Sequence, residues 1–172
     1  MTWSRLVGKN KLGVISTMSP SFKALDGTRT HLVNQLVFFD EQYPFFADTY
    51  LYGMPSRDRK MIDDLLQKYT ARLISMLAAD DTALQDMLHQ VVLIGSGVKV
   101  EFEEDGSTDL FTVVYPTESD PDNNRISFIS PIGRQLLCAE CNSPLVLEVP
   151  DGTQRIHVRE IKYAYIGGFQ DE

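Results

Sequence analysis

Two runs of the sequence place an apolar residue at alternating intervals of four and three positions. The first run consists of Leu32, Leu36, Phe39, Tyr43, Phe46 and Tyr50. The second run consists of Ile62, Leu66, Tyr69, Leu73 and Met76. This spacing puts each set along one face of an α-helix, as in a coiled-coil seam. A break at residues 53–56, Gly-Met-Pro-Ser, separates the runs, so the pattern predicts an antiparallel helical hairpin over residues 28–80.

The hairpin prediction has three details that depend on single residues. Thr28 or Thr30 is expected to cap the first helix and Ser56 the second, because hydroxyl side chains accept hydrogen bonds from the first turn. Pro44 lies inside the first arm and lacks an N–H, so it should kink or divide that helix.

Two helices buried against the rest of the protein would show the same spacing. We favour the hairpin because little else in residues 28–80 can cover both faces.

Past residue 93 the pattern alternates apolar and polar residues, which is typical of β-strands. Alternating stretches occur at residues 98–103, 110–115, 125–129, 145–149 and 156–165. Asp-Gly turns at 105–106 and 151–152 separate some of them. Strands that follow separate helices indicate an α+β protein. We predict an extension over 1–27, the hairpin over 28–80, a connector with a short helix over 81–93, and a β domain over 94–172.

Composition narrows the classes of partner and compartment. The net charge is −8 and the isoelectric point is near 4.8, which speaks against sequence-specific binding to DNA, since such proteins carry excess Lys and Arg. Basic groups concentrate in residues 1–30, where a solvated tail is a simpler interpretation than a binding arm. Apolar runs are short and neither a leader nor a membrane span is recognisable. With two cysteines in the chain, we expect a cytoplasmic protein with no membrane association.

The most distinctive stretch is RISFISPIGRQLL at residues 125–137. The alternating strand ends at Ser130-Pro131, and Ile132, Leu136 and Leu137 then follow at helical spacing. Pro131 suits the first turn of a helix, Ser130 can cap it, and a residue before proline prefers extended backbone. Gly133 allows another part of the chain to approach closely. The stretch therefore predicts a strand that turns directly into a short helix, a feature we call the Ser-Pro corner (residues 130–134).

Together with VKVEFEEDG, FTVVYPTESDPDNN and PLVLEVPDGTQRIHVREIKY, this stretch resembles the C-terminal domain of the GreA and GreB transcript-cleavage factors. The resemblance covers about residues 94–166. The same domain occurs in the regulator of nucleoside diphosphate kinase, Rnk, and in other Gre-like proteins. The resemblance implies an FKBP-like antiparallel domain with one short helix after a coiled-coil hairpin. It also implies a regulator of transcription elongation that binds RNA polymerase at the rim of the secondary channel.

The resemblance suggests which residues touch the polymerase. Asp120, Ser130, Pro131 and Arg134 are the candidates for the rim contact, although the Ser-Pro corner would also be needed simply to build the fold. The hairpin is expected to enter or plug the channel. At its tip we single out Tyr52, Met54, Arg57 and Asp58. Phe45 and Tyr52 fall off the seam and are expected to be exposed for a partner.

The tip also departs from the family it resembles. Cleavage-stimulating Gre factors carry an acidic pair there that can hold a second Mg²⁺. Here Asp58 stands among Arg57, Arg59 and Lys60, and Asp63 and Asp64 are adjacent on a helix and cannot face one point. We therefore assign no catalytic residues, metal or cofactor, and predict a protein that is not an enzyme and does not stimulate transcript cleavage.

Three other interpretations follow from smaller features. The lone CxxC at Cys138 and Cys141 lacks the remaining ligands of a structural zinc site, so we interpret both as small buried thiols. An FKBP-like fold also raises a prolyl isomerase, but no aromatic-lined pocket is legible in the sequence. A third possibility is a helical-hairpin adaptor that uses the β domain as a base. Peptide isomerisation and pull-down assays distinguish these classes.

Overall fold

The structure is a computed structural model that describes residues 20–163. Four helices come first: α1 (Pro20–Glu41), α2 (Tyr43–Tyr50), α3 (Ser56–Ala78) and α4 (Asp81–Gln90). The strands are β1 (Ser96–Phe102), β2 (Thr108–Val114), β3 (Arg125–Ser127), β4 (Pro144–Val149) and β5 (Gly152–Tyr163), with helix α5 (Pro131–Leu136) after β3. The predicted α+β class is confirmed. Between residues 20 and 163, no helix is long and apolar enough to cross a membrane.

The ends of the helices differ from the sequence prediction. Helix α1 begins at Pro20, so residues 20–27 belong to it, and the capping role expected of Thr28 or Thr30 is wrong. Proline is favourable in a first helical turn, and the Thr30 hydroxyl instead donates to the Asp26 carbonyl oxygen at 3.1 Å. Ser56 is the first residue of α3 rather than its cap. The rest of the predicted extension, residues 1–19, lies outside the described residues.

Pro44 divides the first arm of the hairpin, as predicted. Helix α1 ends at Glu41, and α2 begins at Tyr43 with Pro44 in its first turn. The path stays nearly helical, because the Gln42 N–H donates to the Phe38 carbonyl at 2.8 Å and the Phe46 N–H donates to the Gln42 carbonyl at 2.9 Å. A proline in a first turn needs no N–H partner, so the break between α1 and α2 leaves no N–H of Pro44 to be paired.

The helical hairpin is confirmed, with α1 packed against α3. All five residues of the second seam are buried, and in the first seam Leu32, Phe39 and Phe46 are buried. At the open end, Arg29 forms an ion pair with Asp81 at 2.7 Å and donates to the Ala79 carbonyl at 2.9 Å. These contacts tie α1 to the segment that follows the second arm.

The seams also face the β domain. The alternative interpretation of the spacing, two helices buried against the rest of the protein, is therefore correct as well. Phe46 stacks on Phe128 with ring centroids 5.7 Å apart and lies 6.1 Å from Tyr115. Phe39 meets Phe128 edge to face at 5.8 Å. Hairpin and sheet thus share one hydrophobic core. A hairpin packed on the β domain buries more apolar surface than an isolated hairpin would, which favours this arrangement.

A buried polar network fixes where the hairpin sits. The Tyr69 hydroxyl donates to Gln35 Oε1 and accepts from the Ile94 N–H at 3.0 Å. Gln35 Nε2 donates to the Ile94 carbonyl at 3.0 Å. Burial raises the pKa of Tyr69 well above its usual value, so the hydroxyl stays protonated and able to donate. Because leaving such groups unpaired in the core is costly, the network specifies this one docking position.

The five strands form one sheet in the order β3-β2-β1-β5-β4. Neighbours are antiparallel except β2 and β3, which run parallel, so the expectation of an entirely antiparallel domain needs this correction. A register shift between Lys99 and Val100 marks a bulge in β1. Both predicted Asp-Gly turns are present, with Gly106 at φ 69° and Gly152 at φ 135°, values that glycine adopts without strain.

Candidate protein-interaction site

The Ser-Pro corner has the local structure predicted for it. Ser130 has extended backbone angles, and its hydroxyl oxygen accepts a hydrogen bond from the Gly133 N–H at 3.1 Å. The same hydroxyl donates to the Ser127 carbonyl at 2.6 Å. Pro131 occupies the first helical position and is exposed. Ser130 therefore acts as a cap that holds β3 to α5, whereas Pro131 is available to a partner.

Gly133 is the position where α5 touches the end of β3. A Cβ atom at this residue would lie 1.9 Å from the Ser127 carbonyl oxygen and 2.8 Å from its carbonyl carbon. Both atoms are backbone, so the contact can be relieved only by moving the strand and helix apart. The close approach expected of Gly133 is confirmed.

We expect Gly133→Ala to destabilise the protein by about 1–3 kcal/mol, the usual cost of overpacking. The control is Gly97→Ala, whose added Cβ would have only an ordinary contact, 3.7 Å from the Lys162 carbonyl oxygen. Chemical denaturation monitored by circular dichroism compares the two variants with the wild type. A Gly133→Ala variant as stable as the Gly97→Ala variant would show that this contact is not close in solution.

Helix α5 is anchored on both sides. Leu136 is buried in the core, and the Gln135 side chain bridges to the edge strand β4. Gln135 Oε1 accepts from the Glu148 N–H at 2.7 Å, while its Nε2 donates to the Glu148 carbonyl at 3.2 Å. The amide thus pairs with β4 as a neighbouring strand would, which protects that edge. The corner is consequently a rigid feature.

The other two rim candidates are engaged within the protein. Asp120 and Arg125 exchange backbone hydrogen bonds at 2.8 and 2.9 Å, and the Asp120 carboxylate accepts from the Asn123 side chain at 2.6 Å. Asp120 therefore closes the loop before β3. Arg134 forms an ion pair with Asp58 at 3.5 Å, and its side chain is largely covered.

That ion pair brings the hairpin tip to the Ser-Pro corner, which the sequence did not reveal. Asp58 lies in the first turn of α3, immediately after the tip turn, and Arg134 lies on α5. Leu51, at the end of the first arm, is buried, and Tyr50 meets Tyr115 of the β domain at 5.8 Å. No pattern of spacing signals a contact between residues so far apart in sequence.

Around these anchors the tip exposes aromatic and basic side chains. Tyr52 is 87% exposed and Phe45 is 66% exposed, as expected for residues off the seam. Arg57 is exposed, whereas Met54 is only half-buried against the core. Gly53 makes the turn with φ 75°. The tip thus has a buried side fixed to the β domain and an outer side open to a partner.

The acidic residues near the tip do not assemble into one site. Asp58 is paired with Arg134, Asp64 is paired with Lys60 at 3.0 Å, and Asp63 accepts a hydrogen bond from Tyr43. Burial and the neighbouring Asp63 carboxylate raise the pKa of Tyr43 to about 12, so its hydroxyl remains a donor. Within residues 20–163 no three His, Cys, Asp or Glu side chains cluster as metal ligands would.

The two cysteines differ in exposure. Cys138 is buried with φ 67°, a conformation that disfavours most side chains, and burial raises the pKa of its thiol to about 11. Cys141 is half-buried, so only one of the two fits the prediction of buried thiols.

In the native protein, Cys138 should react far more slowly than Cys141 with a thiol reagent such as 5,5′-dithiobis(2-nitrobenzoate). With a pKa of about 11, roughly one Cys138 thiol in a thousand is ionised at pH 8. The measurement is the release of thionitrobenzoate from the wild type and from Cys141→Ser. Rapid labelling of folded Cys141→Ser would contradict the burial of Cys138.

Comparison with known proteins gives matches over the β domain and beyond it. The family described as "Transcription elongation factor, GreA/GreB, C-term" matches residues 87–163. Transcription elongation factor GreA of Chloroflexus aggregans is 31% identical over 106 residues, which cover 61% of this chain and 68% of the relative. GreA of Clostridioides difficile is 30% identical over 114 residues, which cover 64% of this chain and 68% of the relative.

Solved structures give weaker likenesses. A GreA/GreB elongation factor from Nitrosomonas europaea has a TM-score of 0.49 at 25% identity, over 72% of this chain and 93% of the other. GreA factor homolog 1 of Thermus thermophilus has a TM-score of 0.40 at 21% identity, over 77% of this chain and 93% of the other. Both TM-scores are below 0.5, so the comparison rests on the sequence matches.

Proposed function

The chain belongs to the GreA/GreB family of transcription elongation factors, and from this premise we propose that it binds RNA polymerase at the secondary-channel rim without stimulating transcript cleavage. The observation that supports the lack of stimulation is the arrangement of the acidic side chains at the tip. Its acidic side chains are separated and engaged by Arg134, Tyr43 and Lys60, so they do not offer Mg²⁺ a shared set of oxygen ligands.

The way the hairpin is docked refines this proposal. Phe39 and Phe46 are packed on the β domain and Tyr69 is bonded to the chain just before β1, so the hairpin is held along its length. In this conformation the protein covers the channel entrance with hairpin and corner together. The expected insertion of a free rod would first require these buried contacts to separate.

The prolyl isomerase alternative is disfavoured by the same packing. No aromatic-lined pocket was predicted for the β domain, but Tyr115 and Phe128 do lie together, with ring centroids 6.1 Å apart. Phe39 and Phe46 of the hairpin fill the space against them. A proline-containing peptide would have to displace these rings. A helical-hairpin adaptor would use the same exposed side chains of the hairpin. A measurement of polymerase binding distinguishes the adaptor from the elongation factor.

The test is binding to purified core RNA polymerase in competition with GreB. We expect saturable binding that GreB reduces in proportion to its occupancy, because two proteins at one rim exclude each other. Labelled protein and fluorescence anisotropy measure both quantities. Binding that GreB leaves unchanged would contradict the shared rim, and absence of binding would favour the adaptor.

A further inference from the structure

A cleft of about 330 Å³ lies between the two arms of the hairpin. It is lined by Phe39 and Tyr43 of α1 and by Asp63, Leu66, Gln67 and Thr70 of α3. The buried side chains of Phe39 and Leu66 form its floor. Gln67, Thr70 and Ile74 follow one another at intervals of three and four residues, so they share one face of α3. That face continues the cleft towards the open end of the hairpin.

Exposed apolar side chains border this continuation. Val33 and Val37, one turn apart on α1, are 43% and 44% exposed, and Ile74 of α3 is 57% exposed. Val33 lies three residues before Leu36, and Leu36 lies seven residues before Tyr43, so all three are on the side of α1 that borders the cleft. Apolar surface thus remains uncovered on both arms.

One contact gives the register of the two arms. The Tyr43 hydroxyl donates to Asp63 near the tip. Counting along both antiparallel arms from this contact brings Val33 level with Leu73, the neighbour of Ile74. The cleft and the exposed side chains therefore form one surface, which we call the hairpin groove. It consists of Val33, Leu36, Val37, Asp40 and Tyr43 of α1 and of Asp63, Gln67, Thr70 and Ile74 of α3.

The middle of the hairpin groove is bordered by acids. Asp40 and Asp63 lie on its two sides, and α1 has no Lys or Arg between residues 30 and 43. Within residues 20–163 the Asp40 carboxylate has no ion pair or hydrogen bond. The described bases of the hairpin lie at the ends of the groove, Arg29 and Arg59, or on other faces of α3, Arg57, Lys60, Lys68 and Arg72. A ligand for this groove should therefore combine apolar and basic groups.

The segment of residues 1–19, which lies outside the described residues, has this composition. It contains three bases, Arg5, Lys9 and Lys11, and no acid. Its large apolar residues include Trp3, Leu6, Val7, Leu12, Val14, Ile15 and Met18. A second copy of the chain fits the groove less well, because a symmetric contact would set Asp40 and Asp63 against the same acids of the other copy.

This segment leads directly into α1 and is long enough to reach the groove. Along α1, at about 1.5 Å per residue, Val33 is about 20 Å and Asp40 about 30 Å from Pro20. An extended chain of about 3.3 Å per residue, turned back along α1, would bring Val14 to about 20 Å and Lys11 to about 30 Å from Pro20. One register therefore sets an apolar residue against a valine and a base against an acid. The covalent link also gives the segment an effective concentration in the millimolar range.

We propose that residues 1–19 bind back onto the hairpin groove of the same chain, with residues 12–15 on the exposed valines and Lys11 beside Asp40. Val33, Val37 and Ile74 would then be buried, which stabilises the hairpin by removing apolar surface from water. The basic start of the chain thereby has a binding site within the protein, in place of the solvated tail expected from its charge. The inference is independent of polymerase binding, because every group it uses belongs to one chain.

The first experiment measures how fast trypsin cuts the full-length protein after Lys9 and Lys11, with mass spectrometry to identify the fragments. Val33→Gln with Val37→Gln removes the exposed apolar side chains of α1 from the groove. We expect this groove variant to be cut there at least about fivefold faster than the wild type, because cleavage follows the population of undocked segment. Equal cutting of the groove variant and the wild type would overturn the proposal.

The control is Met61→Gln with Leu110→Gln, which alters side chains of similar exposure, 44% and 60%. Met61 lies two residues before Asp63 and is therefore about 200° round α3 from the groove. Leu110 lies on β2. We expect cutting of the control within about twofold of the wild type, as for other surface substitutions. Matching circular dichroism spectra establish that both double variants are folded.

The second experiment tests the register and the choice of occupant. A photoreactive p-benzoylphenylalanine in place of Ile15 should cross-link to residues 33–40 or 67–77 of the same chain. A mixture of isotopically labelled and unlabelled protein distinguishes links within one chain from links between chains. Links between chains, or links confined to the β domain, would overturn the proposal.

The same cross-link reports on the charge contact. Asp40→Lys should lower the yield of the link, and adding Lys11→Glu should restore it, because the second substitution reverses the pair and brings opposite charges together again. A yield that Asp40→Lys leaves unchanged would overturn the placement of Lys11 beside Asp40.

Discussion

A backtracked elongation complex incubated with this protein alone should cleave its RNA no faster than the polymerase does unaided. Stimulation needs two carboxylates that hold a metal ion with hard oxygen ligands in near-octahedral geometry. At this tip Asp58 is bound to Arg134 and flanked by Arg57 and Arg59, whose charge repels a cation. The measurement is the length of end-labelled RNA over time.

In the same assay with GreB present, we expect this protein to lower the rate of RNA cleavage. At about tenfold excess over GreB and equal affinity, this protein should reduce GreB-stimulated cleavage to about one tenth by mass action. A heat-denatured sample serves as the control. Cleavage above the intrinsic rate with this protein alone would disprove the prediction.

Phe46→Ala should lower the free energy of unfolding by about 3–5 kcal/mol, the range for truncating a buried phenylalanine. Phe46 is fully buried, stacks on Phe128 and contacts Tyr115, so its removal leaves a cavity between the hairpin and the β domain. The neighbouring Phe45 is 66% exposed, so Phe45→Ala is a matched control that should change stability by less than about 1 kcal/mol.

Urea unfolding measured by circular dichroism gives both free energies, and limited proteolysis within residues 43–60 reports whether the tip has loosened. We expect Phe46→Ala to be cut there faster than Phe45→Ala. If the two variants unfolded with equal free energy, the hairpin would not be packed on the β domain in solution, and a freely projecting rod would be the better description.

The sequence determined the helices of the hairpin and most of the β domain. A 3-4 spacing of Ile62, Leu66 and Tyr69 can be satisfied only by a helix with one buried face, and strict alternation only by strands. Ser130 and Pro131 determined the corner, because each has a local conformational preference that acts within a few residues. Pro44 determined the division of the first arm for the same reason.

Tertiary structure decided what covers each face. The spacing of Phe39 and Phe46 shows that they are buried but not which rings they meet, since many apolar partners would satisfy the same pattern. The contact of Arg134 with Asp58, 76 residues away, depends on how the whole hairpin lies on the sheet. Local preferences act over a few residues, whereas such pairing depends on the packing of the complete chain. That packing turned a rim candidate and a tip residue into an ion pair.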